Sequence, residues 1–188
     1  MNTQGFLIAV GLAVTFAPGA VAQPYKPLPG ETVLQVEVEA RGNVYVKLHT
    51  NTAPKACAQV SKLASRGFYD GQRFFRVIRS PKPFLIQLGD PASRDASKLD
   101  DSAMGSGGSG ARIPYEDSGY AHEAGAVGLA TQQHDRDAGD SQFYILMSAS
   151  RFLDGNYTVF GKVVAGWDVV QKIQKGDLVV SVKVLTGK

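Results

Sequence analysis

Two side chains able to make directed hydrogen bonds, Arg76 and Gln87, interrupt two short apolar runs in the stretch FFRVIRSPKPFLIQLGD, residues 74–90. A guanidinium keeps its charge and its donors near neutral pH. An amide both donates and accepts. Runs rich in Val, Ile and Phe, bounded by turn residues, read as strands, and alternate residues of a strand share a face. Arg76 therefore shares a face with Phe74 and Ile78. An arginine on such a face is costly unless it is paired or faces a cleft, or snorkels to water from an edge strand. Downstream lie more aromatic, aliphatic and amide residues of the same character: Gln142 and Tyr144, then Phe152, Leu153 and Tyr157.

Other chemistries have little support. Gly105 to Gly110 fits G-x-G-x-x-G by letter, but a dinucleotide site needs a strand before it and a helix after it. Here an acidic polar stretch precedes the glycines and Ile113-Pro114 follows. Asp135, Asp137 and Asp140 suggest a calcium loop, yet Leu146 stands where an EF-hand needs a bidentate Glu. His49, His122 and His134 lack metal-ligand spacing, so neither metal nor cofactor is expected. The chain contains no G-x-S-x-G nucleophile elbow. Net charge is +3 without a Lys/Arg cluster, which argues against a nucleic-acid partner.

The elements that must position these residues follow from the patterning. The chain has 188 residues, 44% hydrophobic and 20% charged, as expected of one globular domain. Residues 1–22 stand apart. Phe6 to Val21 is uncharged, and Ala20-Val21-Ala22 is a small-x-small cleavage pattern before Gln23. This predicts a signal peptide and a periplasmic or secreted protein. The alternative is an N-terminal anchor, but the apolar run, about 16 residues broken by Thr15, Pro18 and Gly19, is shorter than the ~20 a spanning helix wants. Cys57 is the one cysteine, so no intrachain disulfide forms. Its helical spacing with Val60, Leu63 and Ala64 predicts a small core residue.

Residues 23–32 hold three prolines and read as an irregular lead-in to a domain at 33–188. Alternation predicts strands at 33–40 and 44–49 joined by Arg41-Gly42-Asn43. Pro54 opens a helix to about Arg66, and Gly67 ends it. Strands are predicted at 73–78, 84–88, 126–130, 142–147, 158–164 and 178–185, with a second helix at 167–174. The polar, Gly-rich segment 91–120 reads as a long loop, a length often tied to function. Few strand–helix alternations occur, so a mainly β fold is expected: a closed eight-stranded antiparallel β-barrel capped by two α-helices.

The blocks FFRVI, FLIQLGDP, GAVGLA, DSQFYI and FLDGNYTVFGKV occur in that order, preceded by TAPKACAQVSKLASRGFYDG. Together they resemble the cyclophilin family of peptidyl-prolyl cis-trans isomerases over roughly residues 33–185. The resemblance implies roles position by position. Arg76 falls on the catalytic arginine. Phe84 and Leu85 match positions that floor a proline pocket, and Gln87 matches the glutamine that holds the substrate backbone. Ala130 matches a backbone-binding alanine, with Thr131 and Gln132 beside it. Gln142 matches a second glutamine. Tyr144 takes a pocket position commonly held by Phe. Phe152 stands where many members have Trp, Leu153 matches the neighbouring Leu, and Tyr157 stands where His is frequent. Gly105 to Gly108, with Gly107 among them, resembles the loop bordering the groove.

The departures are specific. Arg79 to Pro83 occupies a place where the family typically has only Pro-Gly. Thr131 and Gln132 replace Asn and Ala, and the loop from Gln132 to Gln142 is about two residues longer than usual. Phe152 in place of Trp bears on cyclosporin binding.

The implied chemistry needs no nucleophile. A prolyl amide resists rotation by ~18–20 kcal/mol because resonance gives its C–N bond double-bond character. In the twisted state its nitrogen regains a lone pair, to which Arg76 can donate. The resemblance thus implies an isomerase for proline-containing peptides and unfolded exported proteins, acting as a monomer without a stable membrane anchor. The alternative is a proline-peptide binding module or holdase chaperone with the same groove and negligible turnover.

Overall fold

A computed structural model describes residues 24–131 and 135–188. The expected signal peptide at 1–22, Gln132 and His134 lie outside the described residues. Alternating burial pairs β1 (Thr32–Val38) with β2 (Gly42–Leu48) as an antiparallel hairpin, Val36 opposite Val44. The turn falls slightly earlier than expected, because Ala40 adopts φ 56° and ends β1 at Val38.

The remaining strands are β3 (Arg76–Ile78), β4 (Leu85–Leu88), β5 (Ala126–Thr131), β6 (Gly139–Leu146), β7 (Val159–Ala165) and β8 (Val179–Thr186). All pairings are antiparallel, in the order β3-β4-β6-β5-β7-β2-β1-β8. The sheet is open and curled, a half-barrel rather than the closed barrel expected. The reason lies in the segment predicted as one strand over 73–78. Arg73 forms a single bridge to Leu178 ahead of β8, and Phe74 exchanges backbone hydrogen bonds with Gly176 (2.9 Å) and Asp177 (3.1 Å). Only Arg76–Ile78 pairs with β4. Because the chain changes partner at the buried Phe74 and Phe75, β3 carries a ladder only to β4, and no continuous strand joins it to β8.

Helix α1 (Pro54–Ser65) starts at a proline, whose missing N–H costs nothing in a first turn. The next two amides, Lys55 and Ala56, donate to the Glu116 carboxylate at 3.0 and 2.9 Å. A distant acid thus satisfies donors that a helix start leaves open, and its charge suits that end. The apolar stripe Cys57, Val60, Leu63 and Ala64 is buried in the main core. Helix α2 (Trp167–Lys172) ends two residues short of the expected limit and buries Val169 and Val170. No helix among the described residues is long and apolar enough to cross a membrane.

The sheet is covered on both faces where it matters. The main core takes Ile86 and Leu88 of β4 and Phe143 and Ile145 of β6. A smaller cluster takes Leu85 of β4, Tyr144 and Leu146 of β6, Ala126 and Val159. Burial on both faces explains why 84–88 and 143–147 are near-continuous apolar runs in place of an alternation.

Candidate active site

Strand register aligns the site. Arg76 of β3 lies opposite Gln87 of β4, Gln87 opposite Tyr144 of β6, and Tyr144 opposite Gly128 of β5. Residues at one register position project from the same face. The row therefore runs from a cation at the sheet edge, through an amide and a phenol, to a position without a side chain. A Cβ at Gly128 would overlap the Tyr144 ring, so glycine there gives the ring its place.

Hydrogen bonds hold this row in one arrangement. Arg76 Nη1 donates to Gln87 Oε1 at 3.3 Å, and Gln87 Nε2 donates to Gln142 Oε1 at 2.9 Å. Gln142 Nε2 donates to the carbonyls of Gly105 (2.8 Å) and Gly107 (2.6 Å). Those carbonyls sit where they do because of Asp90. Its fully buried carboxylate accepts from the amides of Gly105 (2.7 Å), Gly107 (3.0 Å) and Ala92 (2.9 Å). A Cβ at Gly107 would collide with that carboxylate. The glycine run thus serves an internal acid. Arg76 forms no ion pair among the described residues.

Above the row is a hollow of ≈ 260 Å³ lined by the side chains that the sequence singled out. Arg76, Phe84, Leu85 and Gln87 form one side; Ala130, Thr131, Tyr144, Phe152, Leu153 and Tyr157 complete it. Phe152 is 72% exposed yet lies 5.8 Å from the Phe84 ring, centroid to centroid. Tyr157 meets Tyr144 edge-on at 6.0 Å. Gln142 and Gly107 do not line this hollow. They adjoin it, sharing with Ala130 and Thr131 a smaller recess. At this edge the β5–β6 register slips between Leu129 and Thr131, and Ala130 has no register partner in β6. Bulges of this kind break a ladder beside functional sites.

Residues 33–186 match the family described as "Cyclophilin type peptidyl-prolyl cis-trans isomerase/CLD". The chain belongs to the cyclophilin-type peptidyl-prolyl cis-trans isomerases. Among curated relatives, a "Probable peptidyl-prolyl cis-trans isomerase" of Brucella suis is 39% identical over 171 residues, 90% of this chain and 84% of the relative. "Peptidyl-prolyl cis-trans isomerase B" of Bacillus subtilis is 36% identical over 149 residues, 78% of this chain and 94% of the relative. The crystal structure of a Cryptosporidium parvum cyclophilin-type isomerase is similar in fold, with TM-score 0.70 and 22% identity, covering 84% of this chain and 99% of that one. The enzyme class of the family is peptidyl-prolyl cis-trans isomerase, and the fold is mainly β and cyclophilin-like, with two helices.

Two polar groups around this cyclophilin hollow escaped the sequence reading. Asp90 was visible only as part of FLIQLGDP, although an Asp before Pro is a helix-start signal; here it caps a short 3-10 turn at Pro91–Arg94. His122 offered no signal by spacing. It is 1% exposed, and its Nε2 lies 2.9 Å from the Tyr144 hydroxyl.

The remaining motifs have internal uses. Asp135 pairs with Arg112 at 2.5 Å, Asp137 accepts from the Tyr115 amide, and Asp140 accepts from the Gly110 amide. Among the described residues no group of three or more His, Cys, Asp or Glu could hold a metal ion. Cys57 is buried, its thiol 3.3 Å from the Phe160 carbonyl, and burial pushes it up to about 12.

Proposed function

We propose that the hollow is the proline-binding site and that Arg76 assists rotation of the Xaa-Pro bond. The observation that carries this reading is a guanidinium with no ion pair among the described residues, on the wall of a hollow lined mostly by aromatic and aliphatic side chains. Phe84, Leu85, Tyr144 and Leu153 bury the pyrrolidine ring, with Phe152 and Tyr157 at the rim. Gln87, held by Gln142, and the backbone at Ala130–Thr131 hold the peptide on one flank while the other turns. Gly107 borders the same groove, and Gln132 continues the backbone-binding turn.

A catalyst must favour the twisted amide over both planar forms. Twisting localises a lone pair on the prolyl nitrogen, and an Arg76 N–H donated to that nitrogen opposes its return to resonance. A hydrogen bond to a charged group is worth about 1.5–3 kcal/mol, far below the ~18–20 kcal/mol barrier. The clamp on the ring and on the peptide backbone therefore contributes as well.

The uncharged stretch 6–21 and the Ala20-Val21-Ala22 pattern support export. The substrates are then Xaa-Pro segments of exported proteins that are still folding, met in the periplasm or outside the cell by a monomer without a membrane anchor. A protease-coupled isomerisation assay on a Xaa-Pro peptide tests the reading. Acceleration above the thermal rate is expected. Retention of the peptide at the thermal rate alone identifies a binding module or holdase instead.

A further inference from the structure

The Tyr144 ring forms part of the hollow, while its hydroxyl meets a group that does not line it. That group is His122, whose Nδ1 lies 2.7 Å from Asp154 Oδ1. The same carboxylate oxygen accepts from the His122 backbone N–H at 2.9 Å. A carboxylate has no proton to give and only accepts, so the Asp154 contact requires Nδ1–H. The neutral ring then presents a bare Nε2, to which the Tyr144 hydroxyl donates. Burial pushes the phenol up and keeps it protonated. Asp154 also ends the short turn Arg151–Leu153 that carries Phe152 and Leu153 into the lining of the hollow. One carboxylate thus ties together two parts of that lining: Tyr144 through the imidazole, and Phe152 and Leu153 through the chain.

We propose that His122 and Asp154 are positioning residues for substrate binding, with Asp154 fixing the His122 tautomer and His122 fixing the Tyr144 ring against the bound proline. This rests on the hollow being the proline site.

The groups that face His122 set its sensitivity to acid. Asp154 favours the imidazolium, while burial and Arg151 disfavour it, burial most. Arg151 itself is held by Asp154 at 2.8 Å and by Glu123 at 2.6 Å. Tyr144 is the other hydrogen-bond partner of the ring among the described residues, with Tyr157 edge-on behind it. A proton added at Nε2 turns that nitrogen from acceptor to donor. The phenol must then accept, and its own proton loses its partner in a buried place. The ring is released from its position, so KM for a Xaa-Pro peptide rises on acidification more than kcat falls.

The test has two arms. Nitrogen-15 NMR of the His122 ring in the native protein near pH 8 is expected to show one fixed tautomer, protonated at Nδ1. A ring protonated at Nε2, or one averaging between the tautomers, overturns the proposal whatever the activity. In the second arm, KM is followed against pH for the native protein and for Asp154→Asn. The amide still accepts from Nδ1–H but carries no charge, so the acid-side rise in KM moves to lower pH by about one unit or more. A role confined to stability shifts the unfolding midpoint and leaves that inflection in place, which also overturns the proposal. Absence of any catalysed rate would count against the proline site itself, and the NMR arm keeps that failure distinct.

Discussion

Gln87 stands directly across the β3–β4 ladder from Arg76, and its amide oxygen accepts from the guanidinium at 3.3 Å. The other end of that amide is committed to Gln142 at 2.9 Å, so it cannot turn over without losing both contacts. The arginine is exposed at a sheet edge, yet it is steered by a buried partner two bonds removed from the glycine loop.

Arg76→Ala should lower kcat/KM about 10- to 150-fold, since the lost hydrogen bond is worth about 1.5–3 kcal/mol and each ~1.36 kcal/mol is tenfold in rate. Stability should hardly move, because exposed positions away from packing usually change it by about 0.5 kcal/mol or less. Isomerisation rates and a urea midpoint on the same sample separate the two effects. Unchanged turnover would remove Arg76 from the mechanism.

Gly128→Ala should reach the site through Tyr144. The added methyl overlaps the ring, and overpacking of this kind typically costs about 1–3 kcal/mol. A lower melting temperature and a raised KM are expected. Tyr144→Ala in the same chain makes room for the methyl, so the two stability losses should combine to less than their sum. Strict additivity would show that the ring does not lie over Gly128 in solution.

Acid should destabilise the fold in two windows. Burial, the leading cause, lowers His122 from 6.5, and His49 is lowered for the same reason. Below 6.5 the unfolded chain takes protons that the native imidazoles do not. Stability from these groups is therefore complete above that pH and lost as pH falls through their native values. Asp154 is held down from 3.8 to about 2, first by the His122 backbone N–H and then by its ring. Its contribution is complete above 3.8 and lost toward pH 2. Melting temperatures from pH 8 to pH 2 should fall in both windows, and Asp154→Asn should flatten the second. A flat profile down to pH 4 would contradict the first.

Cys57 should resist modification in the native state. Its thiol is 2% exposed and pushed up to about 12 by burial, so little thiolate exists near neutral pH. A disulfide reagent at pH 8 should react with it only as the protein unfolds, at a rate that follows denaturant concentration. Prompt reaction without denaturant would place Cys57 outside the core.

Much of the site was legible before folding was considered, and the reasons are local. Arg76, Phe84, Leu85, Gln87, Tyr144, Phe152, Leu153 and Tyr157 sit in short blocks whose order and letters carry the family resemblance together, and all of them line one hollow. The helices were readable from Pro54, Gly67 and apolar spacing. The sheet was less so. Apolar runs at 84–88 and 143–147 announce burial but not which partner covers each face, and nothing local says that Arg73 and Arg76 pair with different parts of the chain. That change of partner is what leaves the half-barrel open.

By itself, then, the sequence determined the family, both helices, most of the strands, and most of the side chains that line the hollow, because periodicity and block order are carried along the chain. Tertiary structure alone decided how those side chains are held. Asp90 grips the glycines at 105 and 107, Gln87 reaches Gln142, and His122 bridges Tyr144 and Asp154. These contacts join residues far apart in sequence through single directed hydrogen bonds. Such bonds depend on distance and angle in space, and neither is encoded in spacing along the chain.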